Sequence, residues 1–262
     1  MNQKEKTLQA MDLTGKVAVI SGGASGIGLG TADLLAAHGA TVVILDIQKE
    51  AGEKEAGRIT RRGDQACFMN CDVTSGSSCR RVADEIEAKF GRLDILFNNA
   101  GVAIRKDVVD LAEKEWDLAI NVTLKGVYSL SHHLVPLMKR TGGGSIINTG
   151  SGWSLKGGGK AVSYCAAKGG VWNMTRAMAI DHGGDNIRVN CVCPGDIDTP
   201  LLRGECAQLG DDEEEFMEEA ADRPLNRVGQ PADVANVVLF LASGLSQWIT
   251  GTHIVVDGGG IA

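Results

Sequence analysis

A chain of 262 residues, 44% of them hydrophobic, is long enough for one large α/β domain or two small ones and has the apolar share of an ordinary globular protein. Its 33 acidic and 26 basic side chains give a net charge of −7, but Asp211 to Glu219 alone holds seven acids among nine residues, so the remainder balances and no basic stripe marks a nucleic-acid surface. Met1 to Asp12 lacks the apolar centre of a signal peptide, and nowhere do about 18 apolar residues run together, which reads as a soluble, cytoplasmic chain with no membrane partner.

Val17 to Ile20 is a short apolar run that breaks into Ser21-Gly22-Gly23-Ala24-Ser25-Gly26-Ile27-Gly28, after which a helical pattern continues to Gly39. Strand, glycine turn and helix in that order bring bare backbone and unpaired helix N–H groups to one point, where a pyrophosphate can bind. A merely structural turn has the same look, and the spacing is GxxxGxG. The next strand, Thr41 to Leu45, ends in Asp46, eighteen residues past Gly28. A carboxylate there accepts hydrogen bonds from both ribose hydroxyls of an adenosine and repels a 2′-phosphate, and no Arg or Lys stands in the glycine turn or directly after Asp46. The expected cofactor is therefore NAD.

Further units follow at similar intervals: a strand over Ala66 to Asn70 with Asp72 at its end, a helix near Ser77 to Phe90, and a strand over Leu93 to Phe97 running into Asn98-Asn99-Ala100-Gly101. Alternating strands and helices predict a parallel sheet. A long helix is expected from about Glu113 to Met138, with Asn121 either a satisfied polar group at a bend or a functional one. His132 and His133 point about 100° apart on that helix and make a poor metal pair. The seven cysteines are odd in number and include no CxxC, which favours buried thiols over disulfides; Cys191 and Cys193 share one strand face, and no metal site is expected.

After the strand Ser145 to Thr149 comes Ser151, and thirteen residues on stands Tyr164, with Lys168 one helical turn later on the same face. A free tyrosine titrates near ~10 and is a poor base at neutral pH. A fixed ammonium and a bound cationic nicotinamide lower that value, and roughly 3 units are worth about 4 kcal/mol. The pair reads as a proton-transfer centre. Its helix runs to about His182. Ile187 to Cys193 is a strand ending in Pro194-Gly195-Asp196-Ile197-Asp198-Thr199, and the acidic run beyond it is either a solvated segment or, with Phe216 and Met217 inward, part of a lid over about 200–223. A helix over Pro231 to Ser243 and a strand over His253 to Val256 complete the chain.

With these residues in order the chain resembles the short-chain dehydrogenase/reductase family from about Leu13 to Gly259. The resemblance rests on the glycine turn, Asp72, Asn98-Asn99-Ala100-Gly101, Asn121, Ser151, Tyr164-x-x-x-Lys168, Pro194-Gly195 and Thr199. It implies a single Rossmann-like α/β domain over 1–262, a doubly wound parallel sheet of about seven strands flanked by helices, and a homotetramer. It also implies roles. Tyr164 exchanges the proton, Lys168 lowers the phenol pKa and holds the nicotinamide ribose, Ser151 holds the substrate oxygen, and Asn121 positions a relay water. Gly22, Ser25, Gly26, Ile27, Gly28, Asp46, Asp72, Val73, Asn98, Ala100, Gly101, Pro194, Gly195, Ile197 and Thr199 line the cofactor, Ile197 and Thr199 at its carboxamide.

The segment from Gly152 to Lys160 departs from the family in being basic and rich in glycine. Four cations, Arg105, Lys156, Lys160 and Arg203, fall on three loops expected to border the substrate, beside Trp153, and one or more of them is expected to recognise an anionic group. The implied reaction is NAD-dependent interconversion of a secondary alcohol and a ketone on a small polyol, sugar, hydroxy acid or alicyclic compound. The alternatives are reduction of a 3-oxoacyl group on a carrier protein and, from another class, a non-catalytic NAD-sensing regulator.

Overall fold

The apolar runs form seven strands: β1 (Val17–Ser21), β2 (Thr41–Asp46), β3 (Ala66–Asn70), β4 (Ile95–Asn98), β5 (Gly144–Thr149), β6 (Ile187–Pro194) and β7 (His253–Val256). The structure, a computed structural model, describes residues 2–262. Before and between the strands lie α1 (Gln3–Met11), α2 (Gly26–Ala37), α3 (Lys49–Arg61), α4 (Gly76–Phe90), α5 (Glu113–Ile120), α6 (Gly126–Arg140), α7 (Val162–His182), α8 (Pro200–Leu209), α9 (Glu213–Ala221) and α10 (Pro231–Ala242).

All strand pairs are parallel, in the order β3-β2-β1-β4-β5-β6-β7. Side chains alternate across each strand, so both faces must be covered. On one face Val19, Val43, Leu96, Ile146 and Val189 pack with Val82 and Ile86 of α4 and Leu130 and Leu134 of α6. On the other, Ile20, Ile44, Phe97, Ile147 and Val192 pack with Leu35 of α2, Ile59 of α3 and Val234 and Val238 of α10. The result is the doubly wound α/β domain expected from the strand and helix alternation. Successive crossovers run outward to β3 and then return to the far side of β1, so the chain leaves β1 and β4 in opposite directions. A crevice opens at their carboxyl ends, where ligands of such sheets bind.

The structure departs from the sequence reading in places. β4 begins at Ile95 and not at Leu93, because Asp94 is a clamp. Its carboxylate accepts from Val17 N at 3.0 Å, Lys16 Nζ at 3.1 Å and Arg92 at 2.6 and 2.8 Å. The expected long helix is divided by a π turn over Asn121–Lys125, and α6 then continues through Pro136 to Arg140. The polar start of the chain forms α1, capped by the Asn2 side chain accepting from Glu5 N at 2.9 Å. The segment considered as a lid is two helices. Thr199 and Pro200 start α8 and Asp212 starts α9. All seven thiols are free. No helix among the described residues is long and apolar enough to cross a membrane.

Candidate active site

A cleft of about 540 Å³ runs across the carboxyl ends of the strands. Its dinucleotide half is built by close backbone approach. Gly22 and Gly26 have φ of +61° and +52°, which favour glycine. A Cβ on Gly28 would run into the Gly22 carbonyl oxygen, so α2 begins against the turn. Ser25 makes no side-chain cap on α2, leaving first-turn N–H groups for a ligand. Ser21 Oγ accepts from Asn99 N at 3.0 Å and Ala100 N at 3.1 Å, tying the end of β1 to the turn after β4.

Asp46 sits buried at the tip of β2 on the cleft wall. Its two oxygens accept from Ala24 N at 3.1 Å and Gln48 N at 3.0 Å, which fixes the carboxylate beside Ile47 and Gln48, with no cation paired to it. Gly22, Ser25, Gly26, Ile27, Asp72, Val73, Ala100, Gly101, Pro194, Gly195, Ile197 and Thr199 all line the same cleft. Asn98 does not. Its Nδ2 donates to Asn148 Oδ1 at 2.9 Å, Asn148 donates to Thr175 Oγ1 at 2.9 Å, and this buried chain ties β4 to β5 and α7. Asn99, which sequence reasoning passed over, lines the cleft instead and donates to the Gly22 carbonyl at 3.2 Å. Bare backbone, uncapped helix N–H groups and an unpaired carboxylate at the far end fit a nicotinamide dinucleotide.

At the other half, Tyr164 (8% exposed) and Lys168 (3% exposed) project from α7. Lys168 Nζ donates to the Thr149 carbonyl at 2.6 Å and lies 5.5 Å from the centre of the Tyr164 ring. Burial lowers the Lys168 ammonium to about 8. Burial also pushes the Tyr164 phenol up, the charge of Glu205 adds to that, and a hydrogen bond with Ser151 works the other way. The protein groups alone do not lower the phenol, because the burial of Tyr164 outweighs the influence of Ser151; the lowering was expected from Lys168 together with a bound nicotinamide. Ser151 holds its place by accepting from Trp153 N at 3.1 Å, while Ser154 Oγ bridges Ser151 N and the Lys168 carbonyl at 3.0 and 2.9 Å. Asn121 opens the π turn behind this group, off the cleft wall. π turns of this kind recur at functional sites.

The cations named from sequence meet different fates. Lys156 lines the cleft and donates to the Gly260 carbonyl at 3.2 Å, and Trp153 lines it too, its ring edge-on to Tyr164 at 5.9 Å. Arg105 lies behind the wall, donating to Glu205 Oε2 at 2.8 Å and stacked 5.0 Å above the Trp153 ring. Arg203 pairs with Asp198 and Glu213 away from the cleft, and Lys160 is exposed and also away from it. Of the lid segment, Leu201, Leu202 and Glu205 of α8 and Arg223 reach the cleft, while Phe216 and Met217 do not. Sequence reasoning missed Glu205. Its signal was a carboxylate three past Leu202 and next to Cys206, on the apolar side of a helix.

Comparison with known proteins agrees with this geometry. A family model described as Enoyl-(Acyl carrier protein) reductase matches residues 22–260. The chain is 41% identical to the 3-oxoacyl-[acyl-carrier-protein] reductase FabG of Thermotoga maritima, covering 95% of this chain and 99% of that one. It is 38% identical to the meso-2,3-butanediol dehydrogenase of Serratia marcescens, covering 96% and 97%. Among solved structures, levodione reductase superposes with a TM-score of 0.90 at 30% identity, covering 94% of this chain and 97% of that one. With a glycine-turn cleft at the carboxyl ends of its strands, an α7 that carries Tyr164 and Lys168, and relatives of this kind along nearly its whole length, the chain belongs to the short-chain dehydrogenase/reductase family of oxidoreductases.

Proposed function

We propose that this chain interconverts a secondary alcohol and a ketone on a small molecule, with NAD as the cofactor. The observation that carries the reading is the placement of Ser151, Tyr164 and Lys168 at one end of the cleft whose other end holds Asp46. A nicotinamide held in this cleft would supply the hydride-accepting chemistry and a positive charge. The Tyr164 oxygen takes the hydroxyl proton of the alcohol, or returns it in the reverse direction. Ser151 holds the same substrate oxygen, and Lys168 holds the nicotinamide ribose and offsets the phenolate. Asn121, at the start of the π turn, would position a relay water. Ile197 and Thr199, which line the cleft, would hold the carboxamide of the cofactor and so orient it.

Asp46 supports NAD over NADP, since a 2′-phosphate would meet a buried carboxylate with no cation to pair with. The same residue weighs against the carrier-protein reductase reading that the FabG relative suggests, as does the want of a basic docking face. Intact Asn121, Ser151, Tyr164 and Lys168 weigh against a regulator that has lost its chemistry. The exposed Tyr128 of α6 and Ile180 of α7 support a homotetramer built on those helices, and α8, whose Leu201, Leu202 and Glu205 reach the cleft, is the part of the 200–223 segment that supports a substrate lid. The test is the absorbance of reduced cofactor with NAD or NADP and a panel of secondary alcohols. Turnover with NAD supports the reading, and turnover only with NADPH and a carrier-bound thioester overturns it.

A further inference from the structure

The substrate wall of the cleft is carboxylate-rich. Glu205, on α8 between Leu202 and Cys206, is 8% exposed and lines the cleft. Its Oε2 accepts from Arg105 Nη1 at 2.8 Å, and its Oε1 has no protein partner. Arg105 is locked from behind. Its Nη2 donates to the Gly159 carbonyl at 3.2 Å, its guanidinium covers the Trp153 ring, and none of it reaches the cleft wall. The other pair on that wall, Arg223 with Asp196, is likewise self-satisfied. A carboxylate placed at Glu205 would offer its Oε1 no proton and would add a like charge, and the cations of the cleft, Lys156, Lys168 and Arg223, each already donate to protein oxygens. A hydroxyl would find in Glu205 a fixed, charged acceptor that is held by its arginine and cut off from bulk water, which is where such a hydrogen bond counts most. Tyr164 lines the same cleft as Glu205, which places acceptor and proton-transfer group in one space.

We propose that Glu205, positioned by Arg105, binds a second hydroxyl of the substrate, so that the preferred substrates are neutral diols or polyols and hydroxy acids are disfavoured. The proposal rests on the alcohol-dehydrogenase reading above.

The experiment uses one ring skeleton and the full-length protein with NAD: cyclohexanol, cis- and trans-1,2-cyclohexanediol, and 2-hydroxycyclohexanecarboxylate, each with wild type and Glu205→Gln. In the variant Arg105 selects the amide oxygen, which turns the NH2 toward the cleft and replaces an acceptor with a donor. The expected result is a diol favoured over cyclohexanol by about ten- to a hundredfold in kcat/KM, what a hydrogen bond to a charged group is worth. The hydroxy acid should be the poorest substrate. In Glu205→Gln the diol-to-cyclohexanol ratio should fall at least about tenfold. Turnover of cyclohexanol with no diol preference, a preference for the hydroxy acid, or a ratio unmoved in the variant overturns the proposal and leaves the dehydrogenase standing. Should no ring alcohol turn over, the dehydrogenase reading fails on this panel, and calorimetric titration of the diols into the protein with NADH decides for Glu205. Tighter binding to wild type supports the role, and equal or no binding overturns it.

Discussion

Lys168 Nζ stands 5.5 Å from the centre of the Tyr164 ring yet spends its short hydrogen bond, 2.6 Å, on the carbonyl of Thr149. The ammonium is thus anchored to the end of β5 as well as lying beside the phenol, and it is nearly devoid of solvent. That arrangement has a cost in the folded protein, which the first prediction measures.

Burial lowers Lys168 from the ordinary lysine value of 10.5 to about 8. Below pH 8 both folded and unfolded chains carry the charge, and the folded one bears the full desolvation penalty, about 3 kcal/mol. Between about 8 and 10.5 the unfolded chain binds more protons, so stability rises with pH and the penalty fades. Lys168→Met removes the penalty but leaves the Thr149 carbonyl unpaired, which costs about 1–2 kcal/mol. The variant should therefore unfold at pH 7 with a net gain of roughly 1–2 kcal/mol, shrinking toward pH 10, while turnover collapses. Urea denaturation across pH checks this, and a variant less stable at pH 7 by a margin that does not change with pH would contradict it.

Gly28→Ala places a methyl group against the Gly22 carbonyl oxygen, where only backbone can give way. The expected loss is about 1–3 kcal/mol of stability or more, with cofactor affinity falling further because the same turn must shift. Gly204 meets nothing within 4 Å of an added Cβ and serves as the control, where alanine should leave melting and cofactor binding close to wild type. Fluorescence titration with NADH and a melting curve on both variants suffice.

The parallel seven-stranded sheet and most of the residues lining the cofactor half of the cleft were legible in the sequence because the central strands are runs of β-branched and apolar residues, and several of the turns at their ends are punctuated by glycine or asparagine. What could not be read was side-chain partnership. Arg105 and Arg203 look alike in the sequence as loop cations, yet one is sealed behind Trp153 with Glu205 and the other is paired on the surface with Asp198. Asn98 and Asn99 are adjacent and identical, and only the strand pleat decides that the first feeds a buried amide chain through Asn148 while the second faces the cleft. The π turn at Asn121 has no periodicity of its own to announce it, since a single widened turn shifts the helical pattern by one residue.

Asp46→Asn keeps the size of the side chain but removes the charge, and its NH2 must face one of the two N–H donors, Ala24 or Gln48. NAD should lose roughly ten- to a hundredfold in kcat/KM, the worth of hydrogen bonds to a charged acceptor, and NADP should lose less or gain. The ratio of the two cofactors in steady-state assays reports this. An unchanged ratio would remove Asp46 from cofactor selection.

Tyr164→Phe is the most direct test of the central claim, because it deletes the transferable proton and almost nothing of the shape packed against Trp153. The measurement is NADH binding and alcohol turnover on the same preparation. The account predicts binding within about twofold of wild type and turnover reduced by about 10²–10⁴-fold or more. Turnover close to wild type would contradict it.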